Sequence, residues 1–231
     1  MREIALDTET TGLNPKDGDR IVEIGCVEMV NHVPTGETRQ FYINPERDMP
    51  EEAFRVHGLS NAFLADKPVF ARVVNEFLDF IGDADLVIHN AVFDMGFINA
   101  ELETLGRSPI SSERAIDTVA LARKKFPGAP ASLDALCRRY RIDNSNRTLH
   151  GALLDAELLA EVYLELKGGR QRGLGLTKES ETDFSRKTIE TASSPPDQRI
   201  REPRPHVPTE EEQAAHKDFL EGLDNPIWLQ S

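Results

Sequence analysis

The stretch IALDTETTGL, residues 4–13, constrains the fold more than any other. Ile4, Ala5 and Leu6 read as a short buried strand, and Thr8, Thr10, Thr11 and Gly12 as its end turning into a loop. Side chains two apart on a strand share a side, so Asp7 and Glu9 project together. Like charges so placed repel unless something positive stands between them. The fold must therefore bring positive charge to the end of a buried strand.

Downstream, the first half alternates strand-like and helix-like patterns. RIVEIGCVEMV (20–30) is a long β-rich run, and ETRQFYINP (37–45) follows it across a turn expected at VPTGE, as a hairpin. Residues 69–81 carry Val69, Val73, Phe77, Leu78 and Ile81 at helical spacing. DADLVIHN (83–90) is a buried strand, and 92–106 a helix closed by Gly106. RAIDTVALARKKF passes from strand to helix, and ASLDALCRRY is a helix with Ser132 as its cap. The segment 149–169 is the cleanest helix, with a stripe from Leu149 to Leu164 and two glycines at its end. A hairpin followed by alternating strands and helices implies an α/β architecture, a mixed central sheet flanked by helices.

Composition changes after Gly168. From Thr177 to Thr209 only Phe184, Ile189, Ala192, Ile200 and Val207 are apolar, too little to offset chain entropy, so a disordered linker is expected over 177–208. Order resumes over 209–231, where Thr209 and Glu212 form a capping box and Ala215, Phe219, Leu220 and Leu223 a small apolar face. With Trp228, the only tryptophan, this tail reads as a docking peptide carrying Phe219, Leu220 and Trp228; the alternative is that it folds back on the domain.

Net charge is −13, and residues 1–167 alone carry 18 basic against 28 acidic side chains. That argues against gripping nucleic acid through a basic surface. An enzyme acting on nucleic acid would need metal ions, a partner, or both. Cys26 and Cys137 lack metal-ligand spacing and read as reduced core residues of a cytoplasmic protein, and no apolar run approaches membrane-spanning length.

Position selects among the 40 acidic residues. Asp7 and Glu9 end a buried strand, Asp94 in VIHNAVFD follows another at a helix start, and Asp155 interrupts GALLDAELL beside its apolar stripe. Carboxylates converge only around cations, and an all-oxygen set suits Mg²⁺ or Mn²⁺ better than zinc. His150 and Asp155 would lie roughly 140° apart on one straight helix. His150 is thus expected in the loop or first turn before the helix. His32, His206 and His216 read as surface or satisfied histidines, and His89 as structural.

LDTETTGL, VIHNAVFD and LHGALLDA together resemble, in order and separation, the three motifs of the DEDDh exonuclease family over residues 1–167. Within it the chain resembles the proofreading branch that serves bacterial replicative polymerases. The resemblance implies a ribonuclease H-like fold and two divalent cations held by Asp7, Glu9, Asp94 and Asp155, Asp7 shared between both. It implies His150 as general base in hydrolysis at a DNA 3′ end that releases nucleoside 5′-monophosphates. FRVHGLS (54–60) resembles a nucleotide-lining segment, so Glu52 and His57, with Asp7, Glu9 and Asp155, are expected to bind substrate. Thr8 and Thr10 are expected near the scissile phosphate, and Phe54 and Leu59 against bases.

The resemblance also implies docking on the polymerase catalytic subunit. QRGLGL (171–176), within a region spanning 168–176, resembles peptides that bind the sliding clamp through residues such as Gln171, Leu174 and Leu176; otherwise it is Gly-rich linker. Two rival functions share these motifs or this tail. One is a DEDDh exoribonuclease trimming RNA ends, the other a non-catalytic adaptor joining clamp to polymerase.

Overall fold

The structure, a computed structural model, describes residues 1–145, 147, 149–169 and 208–221. Five strands form one sheet: β1 (Arg2–Thr10), β2 (Ile21–Val30), β3 (Val33–Tyr42), β4 (Asp85–Ile88) and β5 (Ala115–Asp117), in the order β3-β2-β1-β4-β5. β1 pairs antiparallel with β2 and parallel with β4; β2–β3 is antiparallel and β4–β5 parallel. The sheet is mixed, as the alternation predicts.

Period-two alternation sorts β1 onto two faces. Ile4 and Leu6 join Phe70, Phe77, Phe97 and Ile98 in one core, supplied by helices α3 (Phe70–Ile81) and α4 (Ala91–Thr104). Ala5 joins Val27, Met29, Leu136, Leu159 and Tyr163 in the other, under α5 (Thr118–Lys125), α6 (Leu133–Tyr140) and α7 (Ala152–Leu166). Ser132 caps α6, its side chain accepting from the Ala135 N–H. Cys26 and Cys137 are buried and free.

Gly25 brings α7 close to the sheet. A Cβ there would lie 2.2 Å from the Ala152 carbonyl carbon, so any side chain would push the helix away. Gly25 is paired with Asp7 across the β1–β2 ladder, so the start of α7 sits over the acidic end of β1.

Two expectations need correction. The hairpin turn is at Asn31–His32, whose φ values of 52° and 71° are both left-handed, and VPTGE lies inside β3. Asn tolerates that conformation without glycine, which the Gly- and Pro-based reading overlooked. The last helix of the domain begins at Ala152, leaving Leu149 outside it and half-exposed. Two helices that the sequence reading did not assign, α1 (Glu51–His57) and α2 (Asn61–Leu64), follow β3.

The chain divides into two compact units, Met1–Lys178 and Glu179–Ser231. In the second, α8 (Glu210–Glu221) carries the expected capping box: Glu212 Oε2 accepts from the Thr209 N–H at 2.8 Å, and Thr209 Oγ1 from the Glu212 N–H at 3.3 Å. Phe219 is exposed and Leu220 half-buried. Residues 177–207 of the expected linker (177–208), the expected clamp-binding residues Gln171, Leu174 and Leu176, and Trp228 lie outside the described residues. No helix among the described residues is long and apolar enough to cross a membrane.

Candidate active site

The last β1–β4 pair is Leu6 with Ile88, so β1 runs on past its parallel neighbour and carries Asp7 and Glu9, still paired with β2, beyond the end of β4. From β4 the chain turns at Asn90, which is left-handed at φ 72°, into α4, placing Asp94 in that helix's first turn. The Thr8 hydroxyl, on the face of β1 opposite Asp7, donates to Asp94 Oδ1 at 2.7 Å and ties strand to helix. Thr8 thereby orients the Asp94 carboxylate. Asp155 enters from the first turn of α7, itself fixed by the close approach at Gly25.

All four carboxylates and His150 line one cavity of about 280 Å³. Glu9, Asp94 and Asp155 are nearly inaccessible to solvent and Asp7 is partly exposed, whereas His150 is 49% exposed. His150 lies in the loop before α7, as expected, and its N–H donates to the Val56 carbonyl at 3.0 Å. Its Nδ1 is 3.2 Å from Asp155 Oδ2. Glu9, His150 and Asp155 each present one donor atom within 4.8 Å of the others.

Electrostatics shows what this convergence costs. Burial, then repulsion from Asp94, Glu9 and Asp155, holds the Asp7 carboxyl well above the usual carboxylate range. Burial, then Asp155, Glu23 and Asp94, pushes Glu9 up to about 8. Burial raises Asp94 to about 7 despite the Thr8 hydrogen bond that lowers it. Carboxylates crowded this way demand cations.

A second cavity of about 630 Å³ adjoins the first and shares Thr8, Glu9 and Phe93 as a common wall. Glu52 and His57 line it, together with Thr10. Its apolar lining comes from Leu13, Ala53, Val56 and Phe93 rather than from Phe54 and Leu59. His57 Nδ1 accepts from the Leu59 N–H at 3.1 Å, so the ring proton sits on Nε2, which has no hydrogen-bond partner among the described residues. A buried donor without a partner beside a cavity suits a ligand's acceptor atom.

Two residues of this site escaped the sequence reading. Arg147 donates from Nε to Asp155 Oδ1 at 2.5 Å and from Nη2 to Asp155 Oδ2 at 2.7 Å. Glu23, buried on β2 opposite Glu9, faces the backbone at the start of α7, and burial raises its carboxyl. A β2 position paired with an acidic β1 position was a readable signal for Glu23; the irregular stretch around Arg147 offered none. His89 Nδ1 lies 2.9 Å from Thr118 Oγ1, the structural pairing expected of it.

The sequence model of the family described as "Exonuclease" matches residues 4–163. DNA polymerase III subunit epsilon of Rickettsia felis is 51% identical over 227 residues, covering 96% of this chain and 97% of that protein. The subunit of the same name from Escherichia coli is 52% identical over 188 residues, covering 78% and 77%. Among solved structures, exonuclease X in complex with 5′ overhanging duplex DNA superposes with a TM-score of 0.56 at 27% identity, over 71% of this chain and 89% of that one. The nuclease domain of 3′hExo, a DEDDh family member bound to rAMP, gives 0.62 at 18% identity, over 74% and 94%, a likeness of fold alone.

Proposed function

Because the chain belongs to the DNA polymerase III epsilon family of exonucleases, we propose that it removes mispaired nucleotides from DNA 3′ ends as the proofreading subunit of a bacterial replicative polymerase. The observation that carries this reading is the meeting of Asp7, Glu9, Asp94, Asp155 and His150 in one cavity.

The donor set fits hard divalent cations. It is all carboxylate with one imidazole at its rim, and the raised Asp7, Glu9 and Asp94 mark a site short of positive charge. Asp7, Glu9, Asp94 and Asp155 would hold two of them, Mg²⁺ or Mn²⁺. Bound there, they supply the charge that stabilises the attacking and leaving oxygens of a phosphodiester in hydrolysis. Thr8 keeps Asp94 turned into the site. His150 takes the proton of the attacking water, from a half-exposed loop position that gives it solvent access. Glu52 and the free Nε2–H of His57 seat the terminal nucleotide in the adjoining cavity, with Leu13, Val56 and Phe93 against its base.

A net-negative domain holds DNA weakly, so tethering to the polymerase raises its effective concentration at the primer end without new contacts. In this reading Phe219 and Leu220 of α8, with Trp228, dock on the polymerase alpha subunit. Gln171, Leu174 and Leu176 engage the sliding clamp.

The test is a 5′-labelled DNA primer carrying one mispaired 3′ nucleotide. Shortening with release of 5′-monophosphates in Mg²⁺, stopped by chelation and faster than on single-stranded RNA, is expected. No cation-dependent shortening, or a preference for RNA, would overturn the proposal.

A further inference from the structure

Arg147 is the one basic side chain on both Asp155 and His150 among the described residues. Its side chain is 9% exposed, and its fork holds both Asp155 oxygens in the bidentate arrangement at which guanidinium–carboxylate pairs are strongest. The same Nη2 lies 2.7 Å from His150 Nδ1. Arginine only donates, so that nitrogen's lone pair is taken and the ring proton sits on Nε2. Held this way, neither nitrogen of His150 can accept a proton from water. Nη1 is anchored at the exposed rim of the same cavity by Asp134 at 2.8 Å, which also accepts from Asn144 at 3.1 Å.

We propose that Arg147 competes with the divalent cation for Asp155, so that one displacement opens the carboxylate to the cation and frees the His150 nitrogen. This rests on the reading of the site as one that holds divalent cations. Guanidinium and cation draw on the same carboxylate: both Asp155 oxygens carry Arg147 hydrogen bonds, and a cation brought to either one meets the guanidinium's positive charge beside it. The Asp134 anchor keeps the displaced guanidinium on the rim, close enough to return.

The alternative is that Arg147 merely braces the loop and presents Asp155 to the cation. The two roles have opposite consequences. A competitor weakens cation binding and a brace strengthens it. Mn²⁺ titrated into the full chain, with free Mn²⁺ followed by its paramagnetic resonance signal, reads the difference without reference to turnover. In Arg147→Gln the affinity for Mn²⁺ is expected to be tighter by about tenfold or more, because a unit positive charge a few ångströms from the site is gone. The melting temperature without added cation should fall, and the loss should disappear at saturating Mn²⁺. Arg147→Lys keeps the charge but cannot fork, and should bind Mn²⁺ with intermediate affinity; it takes over the test if the Gln variant fails to fold. Affinity unchanged or weaker in the folded variants, with wild type binding normally, overturns the competition. Absence of Mn²⁺ binding by wild type would instead overturn the cation-site reading beneath it.

Discussion

Replacing Glu9 with Gln should make the cation-free protein more stable. Glu9 is 8% exposed, and its carboxyl stands at about 8 against an ordinary 4.5, chiefly through burial. A carboxyl raised on folding binds its proton more tightly in the folded chain. Its stability contribution is therefore full below about pH 4.5 and is lost as pH climbs towards 8. Between those limits the linkage amounts to about 3 kcal/mol of lost stability at pH 7, and under about 1 kcal/mol at pH 5. Its side chain makes no hydrogen bond among the described residues, so Gln forfeits no partner. With EDTA at pH 7, Glu9→Gln should melt about 6–12 °C above wild type, and the gap should nearly close at pH 5. Saturating Mg²⁺ should reverse the order, since the cation rewards the charged carboxylate. Thermal scans at the two pH values, with EDTA and with Mg²⁺, provide the check. A variant no more stable than wild type in EDTA at pH 7 would refute the claim that burial makes the ionised Glu9 carboxylate costly.

Other consequences follow from the same geometry. His150→Ala should lower kcat by about 10²- to 10⁴-fold with an unchanged melting temperature, because the side chain is 49% exposed; a steady-state primer assay beside a thermal scan reads both. Thr8→Val removes the hydroxyl that lowers the Asp94 carboxyl, so Asp94 should titrate higher and the acid limb of the pH–rate profile should move to higher pH. An unshifted limb would show that Thr8 does not tune Asp94. Gly25→Ala drives a Cβ into the Ala152 backbone, so urea unfolding should show a loss of about 1–3 kcal/mol, and activity should fall further because Asp155 rides on the displaced helix.

The strand character of β1 and the shared face of Asp7 and Glu9 were readable from three apolar residues and a two-residue period. Placing His150 ahead of its helix was readable too, because helical geometry separates it from Asp155. What escaped depends on contacts distant in sequence. Nothing local says that Gly25 must lack a side chain, since its neighbour Ala152 comes from the far end of the domain. The short helix α1 lacks a side-chain cap behind Pro50, so local signals for it were weak. Arg147 sits in an aperiodic loop, and only the folded chain brings its fork to Asp155. The two-residue turn at Asn31–His32 was hidden by the more conspicuous Pro-Thr-Gly that follows it.

The central claim is that side chains from β1, α4 and α7 meet to grasp divalent cations. Crystals soaked in Mn²⁺ and measured for anomalous scattering test it most directly. Peaks among the carboxylates of Asp7, Glu9, Asp94 and Asp155, lost in Asp7→Asn, are the predicted result. A well-ordered site with no anomalous peak there, or with Mn²⁺ only on surface carboxylates, would contradict it.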